Sequence, residues 1–147
     1  MGLSLFILGG TNRDKKATME RFCGVFQENQ WLEKYLALEN DEYNFTALET
    51  LEVTKICGIG MIFDIFHHSI NPSDVSWDDI KCSWKNKRPK LHISSQGEGK
   101  IGHHADFISK VDFATLQDFL GDDFYEVDIM IEAKKKDDAI EKLFNFY

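Results

Sequence analysis

The chain has few cysteines, no long apolar run and no excess of positive charge. Its three cysteines, Cys23, Cys57 and Cys82, are scattered and odd in number, which indicates free thiols in a reducing cytosol. No apolar run approaches the roughly 18 residues of a membrane span. The first residues also lack the basic start and cleavage site of a secretory signal. We therefore expect a cytoplasmic protein with no membrane partner.

Positive charge is scarce, since 25 acidic side chains face 17 basic ones and the formal net charge is −8. A protein that coats nucleic acid passively would be basic. The charge does not exclude a nucleic-acid enzyme whose acidic groups hold metal ions. The 147 residues are 43% hydrophobic, which excludes a disordered chain and suffices for the core of one domain.

Common catalytic signatures are also missing. The chain has no G-x-S-x-G nucleophile elbow, no phosphate-binding P-loop and no C-x-x-C pair. Gly97-Glu98-Gly99 is a fragment and not a dinucleotide fingerprint. The chemistries that depend on these motifs therefore have little support.

Short apolar runs alternate with helical stretches along the chain. We predict strands at 3–8, 35–38, 61–63, 90–94 and 127–131, and helices at 14–28, 46–57, 75–84, 111–120 and 137–146. Thr46 and Glu49 have the spacing of a capping box. In the helix that they open, we expect Leu48, Leu51 and Ile56 to face inward. The repeated strand–helix unit predicts an α/β fold with a parallel sheet and right-handed crossovers.

Four of the predicted strands carry acidic or imidazole side chains toward their ends. Glu39, Asp64 and Glu132 follow the second, third and fifth strands, and His92 lies in the fourth. The carboxyl ends of parallel strands meet at one rim, where the active sites of β/α barrels lie. Carboxylates and imidazoles bind Zn²⁺ or Mn²⁺, and clustered carboxylates would repel one another without cations. The pattern predicts a metal site, to which neighbouring loops add His67 and His104.

Each of these residues also has a simpler interpretation. Glu39 or Glu132 alone would more often be a loop or helix-cap carboxylate. Asp64 could cap the next helix, and His92 could be a hydrogen-bonded core histidine. Their recurrence at successive strand ends, one β/α repeat apart, favours the metal site.

Five short motifs occur in an order that resembles a known family. They are Leu38-Glu39-Asn40-Asp41, Phe63-Asp64-x-x-His67-His68, Arg88-Pro89-Lys90-Leu91-His92-Ile93-Ser94-Ser95-Gln96, His104-Ala105-Asp106 and Ile131-Glu132-Ala133-Lys134. The whole chain resembles the C-terminal part of UV damage endonucleases, which are TIM barrels related to endonuclease IV and xylose isomerase. Residues 1–147 are therefore expected to form a single domain that corresponds to the C-terminal portion, without the N-terminal β/α units.

The resemblance implies a (β/α)₈ barrel with a cluster of up to three divalent ions, most often Mn²⁺, with Zn²⁺, Mg²⁺ or Co²⁺ as the other choices. Such enzymes nick damaged double-stranded DNA immediately 5′ to UV photoproducts and so begin excision repair. The implied reaction is metal-assisted phosphodiester hydrolysis without a side-chain nucleophile. A bacterial member would be associated with the nucleoid.

The motif positions also imply roles for individual residues. Glu39 would bridge two metals, and Asp64, His92 and Glu132 would complete the central metal site. A third ion would be held by His67 and His104. The residues with catalytic roles would be Glu39, Lys90 and Glu132. Weaker candidates for contact with DNA phosphates are Asn40, Gln96 and Lys134.

The chain departs from the family pattern at its start. The strand that ends at Gly9-Gly10 lacks the family's histidine, and the ligands of the first three strands are missing. The length corresponds to about five of eight units, because a whole barrel takes ~250 residues. Two alternatives stay open: an inactive truncated or split fragment that binds metal or a partner chain, and a sugar isomerase or other hydrolase of this barrel group. Unpaired sheet edges would favour self-association or pairing with a missing N-terminal half.

Overall fold

The computed structural model describes residues 4–11 and 13–145. Its strands are β1 (Ser4–Ile7), β2 (Leu36–Glu39), β3 (Gly60–Asp64), β4 (Lys90–Ile93) and β5 (Asp128–Ile131). Its helices are α1 (Lys15–Glu28), α2 (Ala47–Cys57), α3 (Ile65–Ile70), α4 (Trp77–Ser83), α5 (Lys110–Leu120) and α6 (Asp137–Phe144). Two 3₁₀ segments, Gln30–Lys34 and Gly121–Glu126, precede β2 and β5. None of the helices in the described ranges has the length and hydropathy needed to span a bilayer.

The strands form one sheet in the order β1-β2-β3-β4-β5, and every neighbouring pair is parallel. This arrangement confirms the predicted α/β class with its repeated strand–helix units. Leu3 and Phe146, at the ends of a predicted strand and helix, lie outside the described residues.

Side chains of the strands alternate between a helix-covered outer face and an inner face. Phe63 and Leu91 lie opposite each other on the outer face, in the apolar core beneath the helices. The next pair along these strands, Asp64 and His92, therefore lies side by side on the inner face. Glu39 pairs with Ile62, two residues before Asp64, so it lies on the same face.

Helix α2 begins as the sequence predicts but buries different residues. Glu49 and Thr46 form the capping box, with the Glu49 N–H donating to Thr46 Oγ1 at 3.3 Å. Leu51 is buried, but the prediction that Leu48 and Ile56 face inward is wrong, because they are 41% and 63% exposed. The helix packs against β2, β3, α1 and α4, and close packing selects its small and β-branched side chains. The buried residues of α2 are Ala47, Thr50, Leu51, Val53 and Thr54.

Helix α3 is absent from the sequence prediction because it follows β3 without a loop. Asp64 is both the last residue of the strand and the N-cap of the helix. The six residues of α3 are too few to show a helical period.

The amino end of the sheet is closed by an indole ring. Trp84 is buried against Ala37 and Ile62, and its Nε1–H donates to the Met61 carbonyl oxygen at 2.7 Å. A Cβ atom on Gly60 would lie 2.7 Å from this ring. Glycine at this position therefore lets the indole lie against the backbone.

The cysteines are free thiols, as the sequence predicts. The Sγ atoms of Cys23 and Cys57 lie 3.9 Å apart between α1 and α2, and Cys82 is exposed.

Candidate metal centre

Glu39, Asp64 and His92 meet on the inner face, at the carboxyl ends of β2, β3 and β4. One ligand atom from each residue lies within 4.8 Å of the other two, and all three residues are buried. Two carboxylates and an imidazole at this separation form a donor set that suits a divalent transition metal. The structure therefore brings together three of the predicted ligands.

Asp64 divides its carboxylate between two tasks. Oδ1 accepts hydrogen bonds from the Phe66 and His67 N–H groups, at 2.7 and 2.9 Å, and so caps α3. Oδ2 is buried and has no hydrogen-bond partner. Burial raises the pKa of Asp64 to about 6, against the opposing charge of His67. The capping role and the ligand role are therefore compatible, because each uses a different oxygen.

His92 links the Glu39 carboxylate of β2 with the Glu132 carboxylate that follows β5. Its Nδ1 lies 3.2 Å from Glu39 Oε1 and 3.0 Å from Glu132 Oε1. Burial lowers the pKa of His92, but its hydrogen bonds with Glu132 and Glu39 outweigh burial and raise the pKa to about 10. Without an ion, a proton on this ring therefore holds the carboxylates together. The hydrogen bond with His92 in turn lowers the pKa of Glu132.

The backbone after β2 orients His67. Its Nδ1 lies 3.0 Å from the carbonyl oxygen of Asn40, which can only accept, so this nitrogen carries the proton. In the neutral ring, Nε2 then has a free lone pair, and it lies 3.6 Å from Glu42 Oε2. Nδ1 also lies 3.5 Å from Glu39 Oε1. Burial lowers the pKa of His67, but the charge of Asp64, the hydrogen bond with the Asn40 carbonyl and the charges of Glu39 and Glu42 together outweigh burial and raise the pKa.

His104 lies at the edge of this group. Its Nδ1 is 3.9 Å from Glu132 Oε2, and its ring centroid is 6.5 Å from that of His67. Because the ring is only partly buried, His104 faces a wetter environment than His92. The predicted ligands thus form a continuous series of contacts from His92 through Glu132 to His104.

Comparison with known proteins identifies the family. The family model described as UV-endonuclease UvdE matches residues 3–146. The chain belongs to this family. A UV DNA damage endonuclease of Bacillus velezensis is 35% identical over 146 residues, which are 92% of this chain and 45% of the relative. The proteins of the same name from Bacillus pumilus and Bacillus cereus are 35% and 31% identical, with the same coverage.

The crystal structure of SacUVDE has the same architecture. It matches 99% of this chain with a TM-score of 0.83 and 29% sequence identity, and the match covers 52% of the SacUVDE chain. The similarity confirms the predicted barrel-type β/α units. The chain spans about half the length of the UvdE relatives that it matches.

The other residues that the UvdE resemblance singles out lie around the cluster. The Asn40 side chain donates to the Asp64 carbonyl oxygen at 3.0 Å and accepts from the Asp64 N–H at 2.9 Å. Asn40 therefore joins the ends of β2 and β3. Lys90 lies on the inner face two residues before His92, and its Nζ contacts Asp128 Oδ2 at 2.5 Å.

Gln96 and Lys134 lie in the loops around the cluster. The Gln96 side chain bonds to its own loop, through the carbonyl oxygens of Gly97 and Lys100 and the N–H of Gly102. Lys134 lines a surface cavity of about 420 Å³ together with Gln96 and Asp106. Both residues therefore lie on the rim loops and outside the buried triad.

Sequence reasoning missed Glu42, whose carboxylate lies beside the Nε2 atom of His67. The only signal was its position two residues after the Asn40 of the family motif, in the loop that follows β2. It also missed Asp128, because the ion pair between Asp128 of β5 and Lys90 of β4 joins residues that are distant in sequence.

Proposed function

We propose that this chain provides the metal-binding carboxyl-terminal units of a DNA repair endonuclease that nicks DNA 5′ to UV photoproducts. The observation that carries the proposal is the buried Oδ2 atom of Asp64 beside Glu39 and His92, which has no hydrogen-bond partner and only the more distant His67 Nδ1, at 3.6 Å, as an ionic contact. A carboxylate oxygen in that position requires a cation or a proton. Relatives named UV DNA damage endonuclease make DNA the expected substrate.

The residues fit divalent metal ions. When bound, such ions lower the pKa of a water molecule and offset the negative charge of the phosphate. Glu39 Oε1 lies 3.2 Å from His92 Nδ1 and 3.5 Å from His67 Nδ1, so this carboxylate lies between the two histidines and would be shared by the ions that they hold. Asp64 Oδ2, His92 and Glu132 would hold the central ion, and His67 and His104 would serve another. Mixed carboxylate and imidazole donors suit Mn²⁺, Zn²⁺ and Co²⁺ better than the oxygen-preferring Mg²⁺. Among these ions, the family resemblance favours Mn²⁺.

We assign supporting roles to four further residues. Asn40 would hold the metal-binding ends of β2 and β3 together through its hydrogen bonds with the Asp64 backbone. It is also a weaker candidate for contact with a DNA phosphate. Lys134 and Gln96 border a rim cavity and would contact phosphates. Lys90 would act on the scissile phosphate from the inner face after release from Asp128. A Lys90→Met variant that retains metal affinity but nicks DNA as fast as the wild-type chain would contradict this role.

The leading test is nicking of UV-irradiated supercoiled plasmid with Mn²⁺, with and without EDTA, beside an unirradiated plasmid. EDTA-sensitive nicking of the irradiated plasmid alone supports the endonuclease. A calorimetric Mn²⁺ titration of the same preparation is run in parallel. If neither nicking nor saturable Mn²⁺ binding occurs, the proposal fails.

The second candidate is an inactive fragment that binds metal or a partner chain. It is favoured by the share of the relatives that the chain spans, 45% of the Bacillus velezensis protein. Metal binding without nicking would select this alternative.

We also propose that the isolated chain self-associates or pairs with an N-terminal half. The outermost strands of the described sheet, β1 and β5, expose Phe6 and Met130. Unpaired edges with apolar side chains favour association. A stable monomer in light scattering at high concentration would contradict self-association.

A further inference from the structure

Glu42 is an acidic side chain next to the outer histidines of the metal centre. His67 and His104 alone would give the outer ion, which is the ion that these two residues would hold, two imidazole ligands and no compensating charge. Catalytic sites that keep an open position for water or substrate use three protein ligands. A carboxylate near these histidines would supply the third ligand and offset part of the charge of the ion.

The contact between Glu42 and His67 has the spacing of two ligands that share an ion. Glu42 Oε2 lies 3.6 Å from His67 Nε2, the ring nitrogen that is left free because Nδ1 donates to the Asn40 carbonyl oxygen. A separation of 3.6 Å is too long for a hydrogen bond. It is within reach of two donors to one divalent ion, since each such bond is about 2.0–2.2 Å long.

The backbone around Glu42 is fixed by the residue that precedes it. Asp41 is buried, and its carboxylate accepts hydrogen bonds from the N–H groups of Tyr43 and Phe45, at 2.7 and 3.1 Å. The Asp41 carbonyl oxygen accepts from Asn71 Nδ2 at 3.1 Å. Glu42 therefore extends from a rigid turn, so little backbone entropy is lost when its carboxylate binds an ion.

The loop after β4, which carries His104, packs against the same turn. Tyr43 Oη donates to the Ile101 carbonyl oxygen at 2.9 Å and so joins the two loops. A Cβ atom on Gly102 would lie 3.2 Å from Tyr43 Oη and 3.5 Å from Glu42 Cγ. The Glu42 side chain is therefore confined beside this loop and is only 23% exposed. The turn that presents Glu42 and the loop that presents His104 are held together.

We propose that the Glu42 carboxylate binds the outer ion as its third protein ligand, beside His67 Nε2 and His104. This inference rests on the proposed function, because it concerns an ion that those two histidines would hold. The carboxylate oxygen also makes the outer site better suited to Mn²⁺ than two imidazoles alone would, since imidazole suits Zn²⁺ and carboxylate suits Mn²⁺. Glu42 would thus help to determine which metal the outer site accepts.

The test counts the Mn²⁺ ions bound by the full chain, with electron paramagnetic resonance of the free ion as the readout. We expect a tight ion at the central site and a weaker outer ion. Glu42→Gln should weaken the outer ion at least about tenfold and leave the central ion unchanged. His104→Ala should weaken the same ion. Glu98→Gln is the matched control, because it removes an exposed carboxylate from the loop after β4 and should change neither ion.

A spectrum separates a ligand from a nearby charge. The wild-type chain and Glu42→Ala are both saturated with Co²⁺, and their visible absorption is compared. Loss of a carboxylate ligand should change the absorption of the outer ion even at saturation. Identical spectra would show that Glu42 acts through its charge or as an ionic partner of His67, and would overturn the proposal.

Thermal melts in EDTA separate lost binding from lost folding. Glu42→Gln and Glu42→Ala should melt within about 2 °C of the wild-type chain, because the side chain lies near the surface. A variant that melts lower and loses both ions would indicate a structural role and contradict the assignment. If the wild type binds two ions and Glu42→Gln binds both equally well, this inference fails but the proposed function stands. A wild-type chain that binds only the central ion would also overturn it, whereas one that binds no Mn²⁺ would overturn the proposed function as well.

Discussion

At the carboxyl ends of β2, β3 and β4, two carboxylates and an imidazole are buried together, whereas at the amino end of β3 an indole ring packs against apolar side chains. Asp64 Oδ2 has no hydrogen-bond partner at the first end. At the other end, the only polar atom of the Trp84 side chain donates to the Met61 carbonyl oxygen. In β/α barrels, the first end carries chemistry and the second carries stability.

The two ends of the sheet therefore depend on different conditions for their stability. At the amino end, the packing and the hydrogen bond of Trp84 involve only residues of this chain. The contribution of this end to the free energy of unfolding therefore does not depend on a bound ion. At the carboxyl end, the pKa values of about 6 for Asp64 and about 10 for His92 show that protons compensate the clustered charges. A variant should therefore change the free energy of unfolding or the metal affinity, according to the end at which it lies.

The largest effect is expected from Trp84→Ala. It should lower the free energy of unfolding by about 3–5 kcal/mol, because it leaves a cavity beside Ala37 and Ile62. Urea denaturation in EDTA measures the loss, and Mn²⁺ affinity at low temperature should stay unchanged. Trp31→Ala is the matched control, since Trp31 is exposed and its loss should cost less than about 0.5 kcal/mol. Equal losses for both tryptophans would contradict the comparison.

Glu39→Gln should reduce the metal affinity and have little effect on the free energy of unfolding. We expect the Mn²⁺ affinity to fall at least about 100-fold, the upper end of what residues behind metal ligands cause when mutated. Stability in EDTA should change little, because the Glu39 charge favours protonated His92 but opposes ionisation of Asp64. Calorimetric titration and urea denaturation measure the two quantities. Glu52→Gln, an exposed position on α2, should change neither.

The residues at the carboxyl end were largely predictable from the sequence, because the signals that place them there are local. A polar residue that ends an apolar run lies at the carboxyl end of a strand, and parallel pairing then gathers such residues at one rim. Glu39, Asp64 and His92 were found in this way and lie together in the structure. Thr46 and Glu49 were found by their spacing alone.

The amino end was not predictable because it depends on contacts between distant elements. Nothing near Trp84 in the sequence indicates that its ring reaches Gly60, which lies 24 positions earlier. Ile56 shows the converse error, since its spacing fits an inner face but its side chain is exposed. Periodicity predicts that a helix has an apolar face, but neighbouring elements decide which face is buried.

Asn40→Ala should affect both quantities, because this side chain ties the ends of β2 and β3 together. Loss of its two hydrogen bonds to the Asp64 backbone should cost about 1–3 kcal/mol of unfolding free energy. The Mn²⁺ affinity should fall about 10–100-fold, as Asp64 loses its fixed orientation. Asn86→Ala, at an exposed position, is the control. A loss of stability alone would show that Asn40 only supports the fold.

The smallest effect concerns protons that compete with the ion at the carboxyl end. His92 has a pKa of about 10 in the metal-free chain, so an ion that binds this ring must displace a proton at neutral pH. The Mn²⁺ affinity should therefore rise about tenfold from pH 7 to pH 8, and fall more steeply below pH 6, where Asp64 is also protonated. Titrations in two buffers of different ionisation enthalpy should show the release of about one proton per ion at pH 7. An affinity that does not change with pH would mean that the ion leaves the His92 proton in place. The carboxyl end would then be held together by its own hydrogen bonds, like the amino end.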